Sequence, residues 1–308
     1  MRILTWLNDN LVSLAREMRW SYLPPLMVYV AAGISGLTAI VGTFFMKDYL
    51  GLSAEFLAGL GFWAGLPWAL KMPIGHLVDL IWRFKSWLVF LGASLIALSI
   101  AIMIGLLGAP DLMRTYAPLE HWYVLSVLLA PIGYVTQDVV ADAMTVEAVP
   151  LVDLHGQPYT DDARKAMHTT MQTLGRVAII GGSLLVSLLN VYMLSGVDQA
   201  SESVRLGVYL LIYQIALLIP IVSVAGVLLA LFLQRRRRRQ MLARGAAPDS
   251  VDELLEVQTE RPAINWWILG GALVFAAISI SVGLSDAPIL RKWGQNWCSL
   301  PRSASSCS

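Results

Sequence analysis

Residues 136–147 read TQDVVADAMTVE, and three carboxylates, Asp138, Asp142 and Glu147, close a stretch that begins as apolar as lipid. Asp138 and Asp142 are four apart and share one face of a helix, whereas Glu147 stands about half a turn of azimuth away and falls in the loop that follows. A carboxylate facing hydrocarbon is strongly unfavourable, so the paired acids must look at protein or water. The chemistry open to them is charge pairing, gating or proton transfer.

A cationic partner is offered by MHTTMQTLGRVAIIGGSLL, residues 167–185. Arg176 lies about ten residues inside this apolar run, roughly 15 Å along a helix axis, at a depth comparable with Asp138. An Asp138–Arg176 pair would either clamp two neighbouring helices or open when solute or a proton binds. Further polar groups on a candidate path are Thr38, Gln137, Gln172 and Gln214, each of which could equally serve as an interhelical hydrogen bond. A second cluster sits in LPWALKMPIGHLVDLIWRFKSW, residues 66–87. There Pro67 and Pro73 weaken a helix, Gly75 permits a tight turn, and Asp79 and Arg83, four apart, can pair on a short loop helix.

The elements that hold these residues follow from composition. The chain is 57% hydrophobic and 14% charged, with a mean hydropathy of +0.65, whereas about a quarter of an average soluble chain is charged. The apolar residues gather in runs of roughly 20, the length of a helix that crosses about 30 Å of hydrocarbon, and no alternating strand pattern appears. The expected fold is an all-α polytopic membrane protein. Seven spans are predicted, at about 24–46, 55–74, 86–108, 121–144, 168–190, 206–233 and 264–284.

Basic residues orient them. Arg2, Arg16 and Arg19 precede the first span; Lys71, Arg83 and Lys85 follow the second; Arg164 and Lys165 follow the fourth; Arg235 to Arg239, Arg244 and Arg261 follow the sixth. The opposite loops hold only Lys47, Arg114 and Arg205. The positive-inside rule then places the N-terminus in the cytoplasm, and the expected location is a cell (inner) membrane, as a multi-pass protein. Residues 1–22 carry Leu4, Leu7, Leu11, Leu14 and Met18 at helical spacing, which suits either an interfacial helix or a short solvated lead-in, and they lack a signal-peptide pattern. Residues 235–263 are a basic-to-acidic linker whose arginines read as a topology anchor near anionic headgroups rather than a nucleic-acid site. It separates a six-helix bundle at 23–234 from a seventh span at 264–284 and a polar tail at 285–308. Cys298 and Cys307 lie in that tail and are assigned no disulfide. Catalysis is not expected: His76, His121, His155 and His168 all fall near span ends, HExxH and GxSxG are absent, and no metal or cofactor is implied.

Gly75, Leu77, Asp79 and Arg83, in the loop between the second and third spans, resemble the loop signature of the major facilitator superfamily, with Leu80 and Trp82 where a basic residue and a glycine are usual. FFMKDYLGLS, LPWALKMPIGHLVD and QDVVADAMTVE are similar to the folate–biopterin transporter branch, and TQDVVADAMTVE also resembles the corresponding helix of muropeptide permeases. The resemblance covers about residues 20–190. It implies a secondary active transporter of a small organic solute, folate- or pterin-like, that works by alternating access and proton symport, with a gate cluster of Asp79, Arg83 and either Asp138 or Asp142. Such transporters have about twelve spans. Seven spans imply a truncated chain, which would not transport, or a half-transporter that self-associates through the face bearing Asp138, Asp142, Gln172 and Arg176.

Overall fold

A computed structural model describes residues 18–45, 54–81, 85–150, 157–243 and 263–284. The readings made on residues 1–17, Lys47, Arg83, His155, Arg244, Arg261, Cys298 and Cys307 lie outside these residues. Eleven α-helices and no strand occur among those described: α1 (Leu23–Ile34), α2 (Leu37–Phe45), α3 (Ala54–Ala69), α4 (Lys71–Leu80), α5 (Lys85–Gly108), α6 (Pro110–Tyr116), α7 (Leu119–Ala148), α8 (Asp161–Leu194), α9 (Glu202–Ala216), α10 (Leu218–Ala243) and α11 (Trp266–Leu284). The protein is an all-α polytopic membrane protein. Among the described residues five stretches are long and apolar enough to cross a bilayer: Trp20–Ala39, Ser86–Gly108, Leu119–Ala148, Asp161–Leu194 and Glu202–Ala243. The expected second span is broken into α3 and α4, and the seventh is the 19-residue α11.

The break between α3 and α4 has a chemical cause. Proline has no N–H to donate, so Pro67 cannot bond the carbonyl of Trp63 and Pro73 cannot bond that of Ala69. Leu70 sits between them at φ −90°, ψ 7°, outside the helical well. The axis nevertheless continues, because the Leu70 amide reaches the carbonyls of Leu66 and Pro67 and the Ile74 amide reaches that of Leu70. Gly75 is therefore the middle of a helix, not a tight turn as its type suggested, and it lies against Val139. Glu147 likewise falls inside α7, which runs to Ala148, rather than in a loop.

α1 is the hub and packs on α7, α8 and α10, while α5 and α7 run against each other along much of their length. Their approach depends on Gly92 and Gly133. A methyl on Gly133 would come within 2.7 Å of the Gly92 carbonyl and of Ile96, and one on Gly92 within 2.8 Å of the Gly133 carbonyl. Both distances are below van der Waals contact, so only glycine lets the backbones meet. Below that contact the Ser99 and Ser126 hydroxyls lie 3.0 Å apart, and each also donates to the other's carbonyl. The main core gathers Leu37, Val41, Ile96, Leu106, Tyr209, Ile212 and Ile219. Arg235 to Arg239 are exposed on a helical continuation, since α10 does not end with its apolar part.

Candidate charge site

The acids of α7 are brought together by helix geometry. At four residues' separation Asp138 and Asp142 lie one above the other on one face, and both reach a single cation. Lys71, the first residue of α4, places Nζ 2.5 Å from Asp138 Oδ2 and 3.0 Å from Asp142 Oδ2. The second oxygen of Asp142 accepts a hydrogen bond from Tyr29 Oη of α1 at 2.5 Å. Three separate helices thus meet at four polar side chains.

The surroundings differ along this chain of contacts. Asp138 is 8% exposed, Lys71 37% and Asp142 49%, so the site runs from a buried acid to an open one. Tyr29 is held by close packing. Its ring edge lies 2.8 Å from where a β-carbon of Gly175 on α8 would stand, and a side chain there would push the ring off the line to Asp142. Two carboxylates face one ammonium, which leaves the group one positive charge short when all are ionised.

Several expected placements are revised. Lys71, not Arg176, is the ion-pair partner of Asp138, and no ion pair joins Asp138 and Arg176 among the described residues. Arg176 follows Gly175 by one residue, which turns its side chain about 100° away from Tyr29 and leaves it exposed. The cation that carries the site is Lys71, which lies within the apolar run 55–74 and does more there than mark topology. Asp79 is exposed on α4, one helical turn beyond Gly75, and is not part of the contact with Asp138 and Asp142.

The amides separate into two kinds. Gln137 points the other way from Asp138: its Nε2 donates to the Val89 carbonyl at 3.3 Å and its Oε1 accepts from Ser223 Oγ at 2.8 Å. With Gln137 3% exposed and Ser223 fully buried, this is an interhelical tie of α5, α7 and α10. Gln172 and Gln214 are exposed. Thr38 contributes its carbonyl, which accepts from Tyr213 Oη at 3.4 Å. No group of three or more His, Cys, Asp or Glu side chains among the described residues is arranged to hold a metal.

Comparison with known proteins shows a partial likeness. Over 81 residues the chain is 33% identical to a folate-biopterin transporter of Synechocystis sp. (strain ATCC 27184 / PCC 6803 / Kazusa). The aligned part is 25% of this chain and 16% of that protein. No family model matches, and no solved structure matches. The apolar helices make this a multi-pass membrane protein, and part of it is similar to a transporter.

Proposed function

We propose that the protein is a secondary active transporter of the major facilitator type, moving a small organic solute by alternating access coupled to protons. Residues 23–234 form one rocking bundle with its N-terminus in the cytoplasm of an inner-membrane protein; residues 235–263 link it to the further span at 264–284. The observation that carries this reading is the bridge from Lys71 to Asp138 and Asp142 at a broken helix. A static clamp would need only one acid for one cation. The extra carboxylate, half open and already accepting from Tyr29, gives a place where proton uptake would neutralise the group and loosen Lys71. α4 can then pivot at Leu70, where the helix is already interrupted.

The partial likeness supports a transported solute of the folate or pterin kind. Uptake of labelled folate and biopterin into proteoliposomes, with and without an inward proton gradient, tests the reading. Accumulation should rise with the gradient and fall to the background of empty vesicles in Lys71→Met. Uptake that ignores the gradient would overturn coupling, and the absence of uptake of either solute would overturn the assignment.

A further inference from the structure

α8 carries polar side chains along much of its length, and most of them ask nothing of their surroundings. The hydroxyls of Thr169, Thr173, Ser183 and Ser187 each donate to the carbonyl four residues earlier, the arrangement by which such residues are tolerated in lipid. Gln172 and Arg176 differ. They are four apart on one face, both exposed, and neither makes a hydrogen bond or ion pair among the described residues. Arg176 lies about 22 Å along α8 from Asp161, well beyond the charged first turns of the helix. An unpaired guanidinium at that depth must face water or a ligand rather than hydrocarbon.

What it would bind follows from counting donors. A guanidinium has five N–H donors and no acceptor, and a glutamine amide adds two donors and one acceptor oxygen. Together they offer about seven N–H groups against one carbonyl oxygen, so a complementary ligand is rich in acceptors and negatively charged. A planar carboxylate fits the guanidinium fork by two parallel hydrogen bonds. At the neighbouring position Gly175 touches Tyr29, which bonds Asp142, so the cationic face and the cation-seeking acids occupy adjacent sides of the same level of the bundle.

From this we infer that Gln172 and Arg176 form an anion subsite that takes the carboxylate of an organic solute. It rests on the transport reading for its role, and deepens it by giving the solute a charge. Solute anion and coupling proton would then be held on two distinct sets of residues, one on α8 and one shared by α1, α4 and α7.

The full chain in phosphatidylcholine nanodiscs provides the test. Its thermal midpoint, read by tryptophan fluorescence, is followed against benzoate and glutarate at constant ionic strength, with chloride as the control. A saturable rise with at least one carboxylate is expected, lost in Arg176→Gln and in Gln172→Leu weakened. In Arg176→Lys the apparent affinity should fall by about tenfold, because an ammonium keeps the charge and loses the fork. An equal rise in Arg176→Gln, or no rise with either carboxylate, would overturn the subsite. So would a rise produced by phosphatidylglycerol discs without carboxylate that is lost in Arg176→Gln, which would make the ligand a lipid headgroup. Binding without uptake would sink the transport reading and leave the subsite; proton-driven uptake of benzoate or glutarate that is indifferent to Arg176 would do the reverse.

Discussion

Lys71 Nζ sits 2.5 Å from a carboxylate oxygen of Asp138, and the two belong to helices that meet where one of them is broken. Asp138 is the buried member of the pair, so loss of the ammonium leaves a charge with little water to replace it. For Lys71→Met the expected loss is about 2–3 kcal/mol, below the ~3–5 kcal/mol of fully buried pairs because Lys71 is 37% exposed. Lys71→Met combined with Asp138→Asn should recover part of the loss. Chemical unfolding in detergent measures both. Strict additivity would argue that the contact contributes nothing.

Gly175 controls the second support of the acids. Gly175→Val should displace the Tyr29 ring and imitate Tyr29→Phe, since either change removes the hydroxyl from Asp142. Asp142 is half open and water can replace the lost donor, so each single change should cost about 1 kcal/mol at this bond. Valine adds the strain of overpacking, roughly 1–3 kcal/mol. The discriminating measurement is the double variant: with Phe at position 29, the valine should have no further effect on proton-driven uptake. A further drop would mean that Gly175 acts elsewhere.

The pairing of Asp138 with Asp142 was legible because a separation of four fixes a shared helix face whatever the tertiary fold. The predicted apolar runs also fall on helices, although only five of the helical stretches among the described residues are long and apolar enough to cross a bilayer. The partner of Asp138 was not legible. Arg176 matched it in depth on the next span, but depth leaves azimuth free, and packing of Gly175 on Tyr29 turns Arg176 outward. The better signal was Lys71, a cation between two prolines inside an apolar run. Proline marks the interruption, and an intramembrane lysine requires an acid. The Tyr29–Asp142 bond spans 113 positions and depends on the rotation of α1, which no local pattern encodes.

Orientation can be tested independently of transport. Arg235 to Arg239 are exposed at the far end of α10, opposite in the bundle to the turn around Gly196 that precedes α9. If the positive-inside rule sets the topology, a reporter fused after residue 240 should read cytoplasm and one fused after residue 200 the opposite side. Replacing the five arginines by glutamine should blunt the difference. Reversed reporters in the unaltered chain would exclude the orientation.

The tie at Gln137 makes the sharpest stability prediction, because every atom in it is buried and its role does not depend on what is transported. Gln137→Leu removes the acceptor of Ser223 and the donor to the Val89 carbonyl. Ser223 is fully buried, so its hydroxyl cannot turn to bulk water, and a stranded buried group costs about 1–3 kcal/mol. The added loss at Val89 brings the expected destabilisation to roughly 2–4 kcal/mol. Gln137→Leu with Ser223→Ala replaces both partners by apolar groups and should regain at least about 1 kcal/mol of it. Thermal unfolding of the three variants in one detergent reads this directly. If the double variant is no more stable than Gln137→Leu, the hydroxyl was never held by the amide, and α10 is fixed to α7 by packing alone.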